Sequence, residues 1–545
     1  MNESEKSHNE INQGHEILIS NTFYNFLNNF GIYFFSLFSS VLIARILTSE
    51  IWGFLILSLS YINIIILISK FFPPSLSISV NYYLPRYYAL NSKSELKSFM
   101  KKSLLFKLLI LIIFFIISVL IFWIFGTFFK GNLNEYSILL FILSPLIVVN
   151  GLYAIIESIF RSFNNFKLIF LLLLVKYSIY LTSLLMFVFF QLLMVEYIAL
   201  FYFISSLIPF ILSLIFIRKL FIKLNNDDPK EISFKNFLEK TTRYGAPLSL
   251  GVIFSSLWKE FEIQTIGIFE TSEWVTGFSI SKNFSSVPQF TAQSTAKPLI
   301  TSFSELNAKS QKDKITSIYN ISLKYSLLIL FFLTGIFFFI SEFFLRSIYG
   351  IDYVKFTILL KLYLISITFN PLGAIFKSLL LSTHKVKYLP LIDLLNIFIL
   401  IPCFLIGLIF FNIYGALIGI IISHFIIFLI NIILSFKIGN INMQIKNLIS
   451  QYSSFYIPLI ITVILNILFL NNWTKMILDF LGLSLFFGIE FLSLLFFLVM
   501  MILLNIYLEI IKEKDLNILL KYFNKNKISH KIIRRLTKYL KVFIS

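Results

Sequence analysis

The chain has almost no thiol chemistry. A single cysteine, Cys403, in 545 residues excludes an intrachain disulfide, and a lone thiol in an apolar run reads as a small core side chain. Histidine is nearly as scarce: His8, His15, His384, His424 and His530 are scattered without metal-ligand spacing, so no metal site is expected. There is no GxxxxGK[ST] loop, so an energy source other than a partner ATPase must be an ion gradient or the membrane potential. No cofactor is expected. The first 16 residues, MNESEKSHNEINQGHE, are polar and acidic and lack the basic and apolar regions of a cleaved signal peptide. The first span is therefore expected to remain as an anchor, with residues 1–16 in the cytoplasm.

Charged residues make up only 13% of the chain and hydrophobic ones 58%, with mean hydropathy +0.87. Soluble domains hold roughly 45–50% apolar residues, so water is not the main solvent. Apolar runs recur from Ile17 to Leu508, each about 20 residues and long enough to cross about 30 Å of hydrocarbon as a helix. Barrel strands would be about 10 residues and would alternate polar with apolar. The expected fold is all-α and polytopic, with about fourteen transmembrane helices.

Net charge is +19, with 46 Lys and Arg against 27 Asp and Glu. A basic balance can mark nucleic-acid binding, but these cations sit between the spans. Counted from an interior N-terminus, 34 fall on one side, seven lie inside spans, and the opposite loops hold only Arg45, Lys130, Arg346, Lys355 and Lys475. Positive loops stay cytoplasmic, so both termini are expected inside at a cell membrane, and no nucleic-acid partner is expected. Beyond Leu508, Ile532, Ile533, Leu536, Tyr539, Leu540 and Phe543 recur at helical spacing among Lys and Arg. That pattern fits a helix lying on the anionic inner leaflet; a frayed solubilising tail is the alternative.

The chain also resembles itself. Thr48-Ser49-Glu50 followed by Gly53-Phe54 recurs as Thr271-Ser272-Glu273 followed by Gly277-Phe278. LNSKS at Leu90 returns as LNAKS at Leu306, and IFG ending at Gly126 returns as IYG ending at Gly350. Asn150-Gly151-Leu152-Tyr153-Ala154-Ile155 echoes Asn370-Pro371-Leu372-Gly373-Ala374-Ile375. The repeat unit holds an even number of spans, so its copies enter from the same side, related by an axis along the membrane normal. The expected organisation is a six-span half over 17–217, a basic linker over 218–243, a second six-span half over 244–436, two further spans over 437–508, and a basic tail over 509–545. Two such halves suit alternating access about a central site.

Several stretches resemble a known family. Ala44-Arg45-Ile46-Leu47 runs into Glu50-Ile51-Trp52-Gly53-Phe54, and Pro85-Arg86-Tyr87-Tyr88 follows span 2. Tyr349-Gly350-Ile351-Asp352-Tyr353 and Tyr414-Gly415-Ala416-Leu417-Ile418-Gly419 come later. Together they resemble the Wzx-type polysaccharide flippases of the multidrug, oligosaccharidyl-lipid and polysaccharide exporter superfamily. The resemblance implies transfer of a polyprenyl-linked oligosaccharide from the cytoplasmic to the outer leaflet, with glycosyltransferases of the same pathway as partners. It places the cavity between the first two helices of each half, here spans 1, 2, 7 and 8.

The residues point to the same helices, because polar groups in hydrocarbon are costly unless they face protein or water. Span 1 carries Asn25 and Asn28 within a polar stripe. Span 8 carries Lys282, Gln289, Gln293 and Lys297 within an arc of roughly 80°. Span 7 carries Lys259, Glu260 and Glu262 near its middle. Lys259, Lys282 and Lys297, with Arg45, Arg86 and Lys70, form a candidate cationic path for a phosphate headgroup. Glu260 and Glu262 are candidates for ion coupling. Helix–helix hydrogen bonding is the structural alternative for the Asn stripe, and an i, i+3 pair of Lys259 with Glu262 for the charges. Lys70 beside Pro73-Pro74 predicts a broken second helix. A drug or metabolite cation antiporter of the same superfamily is one alternative function. A membrane polysaccharide polymerase or glycosyltransferase is another, though the short outer loops offer it few acidic or histidine residues.

Overall fold

The computed structural model describes residues 3–510 except 75, 91, 129–132, 192–193, 224–231, 384, 386 and 468–484. It describes the backbone alone at 3–23 and at scattered helical positions, including 244–250, 291–295, 297 and 485–489. The amphipathic tail, most of the basic linker and the stretch before the last helix lie outside the described residues.

The helices are α1 (Glu3–Ile46), α2 (Ser49–Ile68), α3 (Leu76–Ala89), α4 (Lys93–Phe128), α5 (Leu133–Leu143), α6 (Leu146–Ser162), α7 (Phe166–Phe190) and α8 (Val195–Lys223). Next come α9 (Phe234–Phe269), α10 (Ser272–Ala308), α11 (Lys312–Phe339) and the single turn α12 (Ser341–Phe344). After π and 3-10 turns at Leu345–Tyr349 and Ile351–Phe356 follow α13 (Thr357–Ile367), α14 (Asn370–Ser382), α15 (Tyr388–Lys437), α16 (Ile445–Leu465) and α17 (Leu485–Tyr507). Among the described residues no strand forms beyond an isolated bridge of Phe71 with Pro74. The chain is thus the all-α, multi-pass membrane protein that the apolar runs predict.

Among the described residues eleven segments are long and apolar enough to cross a membrane, against the fourteen expected of the whole chain, and part of the difference has a physical content. One of the eleven, the 50-residue α15, contains non-helical backbone at Phe411 and Asn412. Its arms fold back so closely that a Cβ on Gly407 would fall 2.0 Å from the carbonyl oxygen of Gly415, and one on Gly419 2.1 Å from that of Cys403. Glycine there lets two backbones touch, as small residues do in membrane helix pairs. The other shortfall is α9 and α10, which at 36 and 37 residues are long enough but too polar to qualify.

The second span breaks where Lys70 and the two prolines predict. α2 ends at Ile68 and α3 begins at Leu76. The last carbonyls of a helix lack internal partners and attract cations. Here buried Lys107 of α4 donates to the Ser69 carbonyl at 2.5 Å and to the Ser69 hydroxyl at 3.0 Å. Helix starts follow the expected chemistry: the Thr48 hydroxyl accepts from the Ile51 amide of α2, and Ser233 does the same for Asn236 of α9.

The chain divides into two compact units. The first comprises Met1–Phe284, Ile348–Leu359 and Lys387–Ser423, the second Ser285–Ser347, Leu360–Val386 and His424–Ser545. The first holds the whole of the expected first half together with α9, the start of α10 and α15 as far as Ser423. Its core includes α1 against α7, where Phe35 stacks on Tyr177, and α2 against α9, where Ile64, Ile253 and Leu257 cluster. In the second unit α16 and α17 pack on α11. Phe331 stacks on Phe455 at 4.6 Å, and Gly335 leaves room for the Phe497 ring.

Candidate functional site

The first unit brings α2 and α3 alongside α9 and α10, and the contacts occur at three heights. At one end the two copies of the Thr-Ser-Glu repeat meet. The Ser49 hydroxyl donates to the Glu273 carboxylate at 2.7 Å, and Thr276 donates to the Ser49 carbonyl at 2.7 Å. A Cβ on Gly53 would lie 1.9 Å from the Ser272 carbonyl oxygen, so only glycine permits this approach. Its repeat mate Gly277 likewise sits against the Phe356 ring. The turns at 348–356 complete this end: Tyr353 donates to the Leu47 carbonyl, Arg45 to the Ile348 carbonyl, and Lys355 pairs with Glu273. Trp52 stacks on Tyr349.

Lys355, with help from Ser49, holds the Glu273 carboxyl below the usual carboxylate range despite partial burial. A group whose pKa is lowered by a contact stabilises that contact above its free value and loses the contribution as pH falls through the lowered one. This end should therefore loosen under acid, below the ordinary value of 4.5. Spin labels on exposed positions 50 and 351, in a Cys403→Ser background, should move apart on acidification. With Glu273→Gln they should already be apart at pH 7; an unchanged distance in both would refute the assignment.

Midway along, the groups are those the sequence singled out, but partnered differently. Lys282 of α10 pairs with Glu262 of α9 at 3.1 Å, also donates to the Lys259 carbonyl, and lies over the Phe278 ring. The i, i+3 spacing had matched Glu262 with Lys259. The structure instead gives the buried carboxylate a lysine from the neighbouring helix, because a buried charge needs a counter-ion within reach. Lys282 is consequently a paired cation, with Glu262 as its counter-ion. Lys259 is exposed. Glu260 accepts from Asn63 at 3.3 Å, its carbonyl accepts from Ser60, and Gln264 donates to the Leu57 carbonyl.

At the other end α3 meets the start of α9. Ser79 donates to the Thr241 carbonyl, and Lys240 donates to the Tyr87 hydroxyl at 2.9 Å while its ammonium lies over that ring. That hydrogen bond holds the Lys240 pKa above its usual value. Beside it opens a cavity of about 480 Å³ lined by Tyr83, Arg86 and Tyr87 of α3, by Leu90 just after it, and by Asn236, Glu239, Lys240 and Arg243 of α9.

The candidate residues thus do not form one cluster. Arg45 and Arg86 lie at opposite ends, and Lys70 lies at the helix break, half-buried. Asn25 and Asn28 are on α1; Asn28 is buried, and its side-chain oxygen has no hydrogen-bond partner among the described residues. Gln289 is half-buried on the part of α10 in the second unit. The side chains of Gln293 and Lys297 lie outside the described residues. Among the described residues no cluster of His, Cys, Asp or Glu suits a metal ion. Sequence reasoning missed Glu273 with Lys355 and Lys240 with Arg243. The first was signalled by the repeat itself, and the second by Tyr83 and Tyr87 one helical turn apart beside Arg86.

The fold is that of the multidrug and lipid-flippase exporters of the MOP superfamily. An inward-facing multidrug-resistance MATE family transporter aligns with a TM-score of 0.59 at 12% identity, over 73% of this chain and 93% of its own. The lipid II flippase MurJ, inward closed, aligns with 0.54 at 17%, over 87% and 98%. A MOP superfamily transporter from Pyrococcus furiosus aligns with 0.54 at 13%, over 76% and 94%. No curated protein matches by sequence. Residues 18–306 match the polysaccharide biosynthesis protein family model, more than half of the chain, and the protein belongs to that family. Its many long apolar helices make it a multi-pass membrane protein.

Proposed function

We propose that the protein moves a polyprenyl-phosphate-linked oligosaccharide from the cytoplasmic to the outer leaflet of the cell membrane, for assembly of a surface polysaccharide. The observation that carries this reading is the character of α9 and α10 in a member of this family. They are long enough to cross the bilayer yet carry Lys259, Glu260, Glu262, Lys282 and Gln289, which lipid would not tolerate. Helices of that kind line a polar route. Asn and Gln side chains bond sugar hydroxyls, lysines meet the phosphate as point charges, and the polyprenyl tail stays in lipid. The end bearing Arg86 and Lys240 faces the cytoplasm and the Glu273 end faces outward, following the positive-inside count. Moving one negative charge outward across 100 mV, inside negative, gains about 2.3 kcal/mol, so the potential itself biases the transfer.

The test is reconstitution of the full chain into vesicles carrying a fluorescent oligosaccharide-pyrophosphate-polyprenol. Protein-dependent transfer between leaflets, faster with an inside-negative potential, is the expected result. Absence of transfer together with cation-coupled uptake of small organic cations would establish the antiporter reading instead.

A further inference from the structure

We infer that the cavity between α3 and the start of α9 is a recruiting site for a phosphate-ester headgroup bearing a sugar. It is separate in position from the mid-membrane charges on α9 and α10. The inference deepens the flippase reading by naming the part of the substrate that is met first, and it rests on that reading only for the lipid carrier.

Size comes first. About 480 Å³ is in the range of small-ligand sites and suits a phosphate or pyrophosphate with an adjoining pyranose ring. Charge comes next. Arg86 from α3 and Lys240 and Arg243 from α9 converge on the space against one carboxylate, Glu239. Neither arginine forms an ion pair among the described residues. Two guanidinium groups and an ammonium around one opening suit a doubly charged anion, since guanidinium forks bind phosphate oxygens in pairs.

The wall is not a generic basic surface. Tyr83 and Tyr87 stack on one another with centroids 6.1 Å apart, and Tyr87 is backed by buried Phe99, which packs in turn on Phe237. The rings are thereby fixed, offering a flat apolar face with a hydroxyl edge, a combination that suits the two-sided character of a sugar ring. Lys240 is fixed as well, anchored on the Tyr87 hydroxyl. A site whose cation and aromatic wall are already ordered spends little entropy on binding. Placement agrees. The lining includes exposed Leu90, and α3 carries exposed Tyr82 and Tyr88, the aromatic and apolar composition of a membrane interface. A headgroup held here can leave its tail in the inner leaflet.

An ordinary phospholipid also carries a phosphate ester, so the test separates the two sources. The purified full chain in phosphatidylcholine nanodiscs is titrated with three probes: inorganic pyrophosphate, geranyl pyrophosphate, and geranyl-pyrophosphate-linked N-acetylglucosamine. The sugar-bearing probe should bind at least about tenfold tighter than the other two. Arg86→Gln with Arg243→Gln should weaken it about tenfold to hundredfold, the scale of lost charge-assisted hydrogen bonds. Tyr83→Ala should erase the preference for the sugar while leaving pyrophosphate binding in place. All three positions lie at the cavity surface rather than in the core, and elution as a single species with an unchanged melting temperature checks each variant. Equal binding by wild type and the double arginine variant would overturn the site. Displacement of the sugar probe by a modest fraction of phosphatidylglycerol in the disc would make it a phospholipid site and overturn the sugar assignment. Binding is read without transport, so failure here is distinct from failure of the flippase reading, which the leaflet-transfer assay decides.

Discussion

Gly53→Leu should abolish transport in a protein that still inserts and folds. The Cβ alone would stand 1.9 Å from the Ser272 carbonyl oxygen, and that neighbour is backbone at the start of α10, which cannot rotate away as a side chain could. Overpacking of this kind costs typically about 1–3 kcal/mol or more. The cost falls only on the arrangement in which the two Thr-Ser-Glu segments touch, so it shifts the balance toward separation at that end by as much as about 150-fold. Gly53→Ala should show a milder form of the same defect. Two measurements check this: leaflet transfer in vesicles, and the separation of labels at positions 50 and 351, which should widen in step with the loss of transfer. Wild-type transfer by the leucine variant would show that this contact is not part of the cycle.

Lys282→Met should be the most destabilising single change in the middle of the site. It removes the counter-ion of Glu262, which is 5% exposed, and an orphaned buried charge costs roughly 3–5 kcal/mol. The melting temperature of the purified protein should fall clearly, and Lys282→Met with Glu262→Gln should recover most of the loss, since two neutral side chains of similar size leave no charge unpaired. The double variant then separates two roles. If Lys282 meets the substrate phosphate, the recovered protein folds but transports at least about tenfold more slowly, the scale of one charged hydrogen bond. Full transport by the double variant would reduce the pair to an internal charge balance.

Composition and periodicity made the architecture legible because the bilayer allows few alternatives. Backbone groups must be satisfied within each span, so apolar length alone marks helices, and Lys70 with Pro73 and Pro74 marks the break in the second. The unusual polarity of α9 and α10 was also readable, since lysine and glutamate stand inside long helices. Which charge meets which was not. Lys259 and Glu262 lie three apart on one helix, yet the carboxylate takes Lys282 twenty residues away, a choice fixed by how α10 packs back on α9. The cavity at Arg86 was half visible. The arginine belongs to a motif, but Lys240 and Arg243 looked like any cations of a basic linker until α9 began at Phe234 and carried them into the fold. Repeat matches in register pointed to the Thr-Ser-Glu segments without revealing that the two copies bind each other.

The interruption between α2 and α3 bears on how such a molecule moves. One unbroken rod lying beside α9 would act as a lever, so that prising it away at Ser49 would press or drag it at Tyr87. Two rods joined at a lysine-capped joint transmit little of that torque. The Ser49–Glu273 contact and the Tyr87–Lys240 contact thus sit on separate rods, set apart by the seven residues between Ile68 and Leu76.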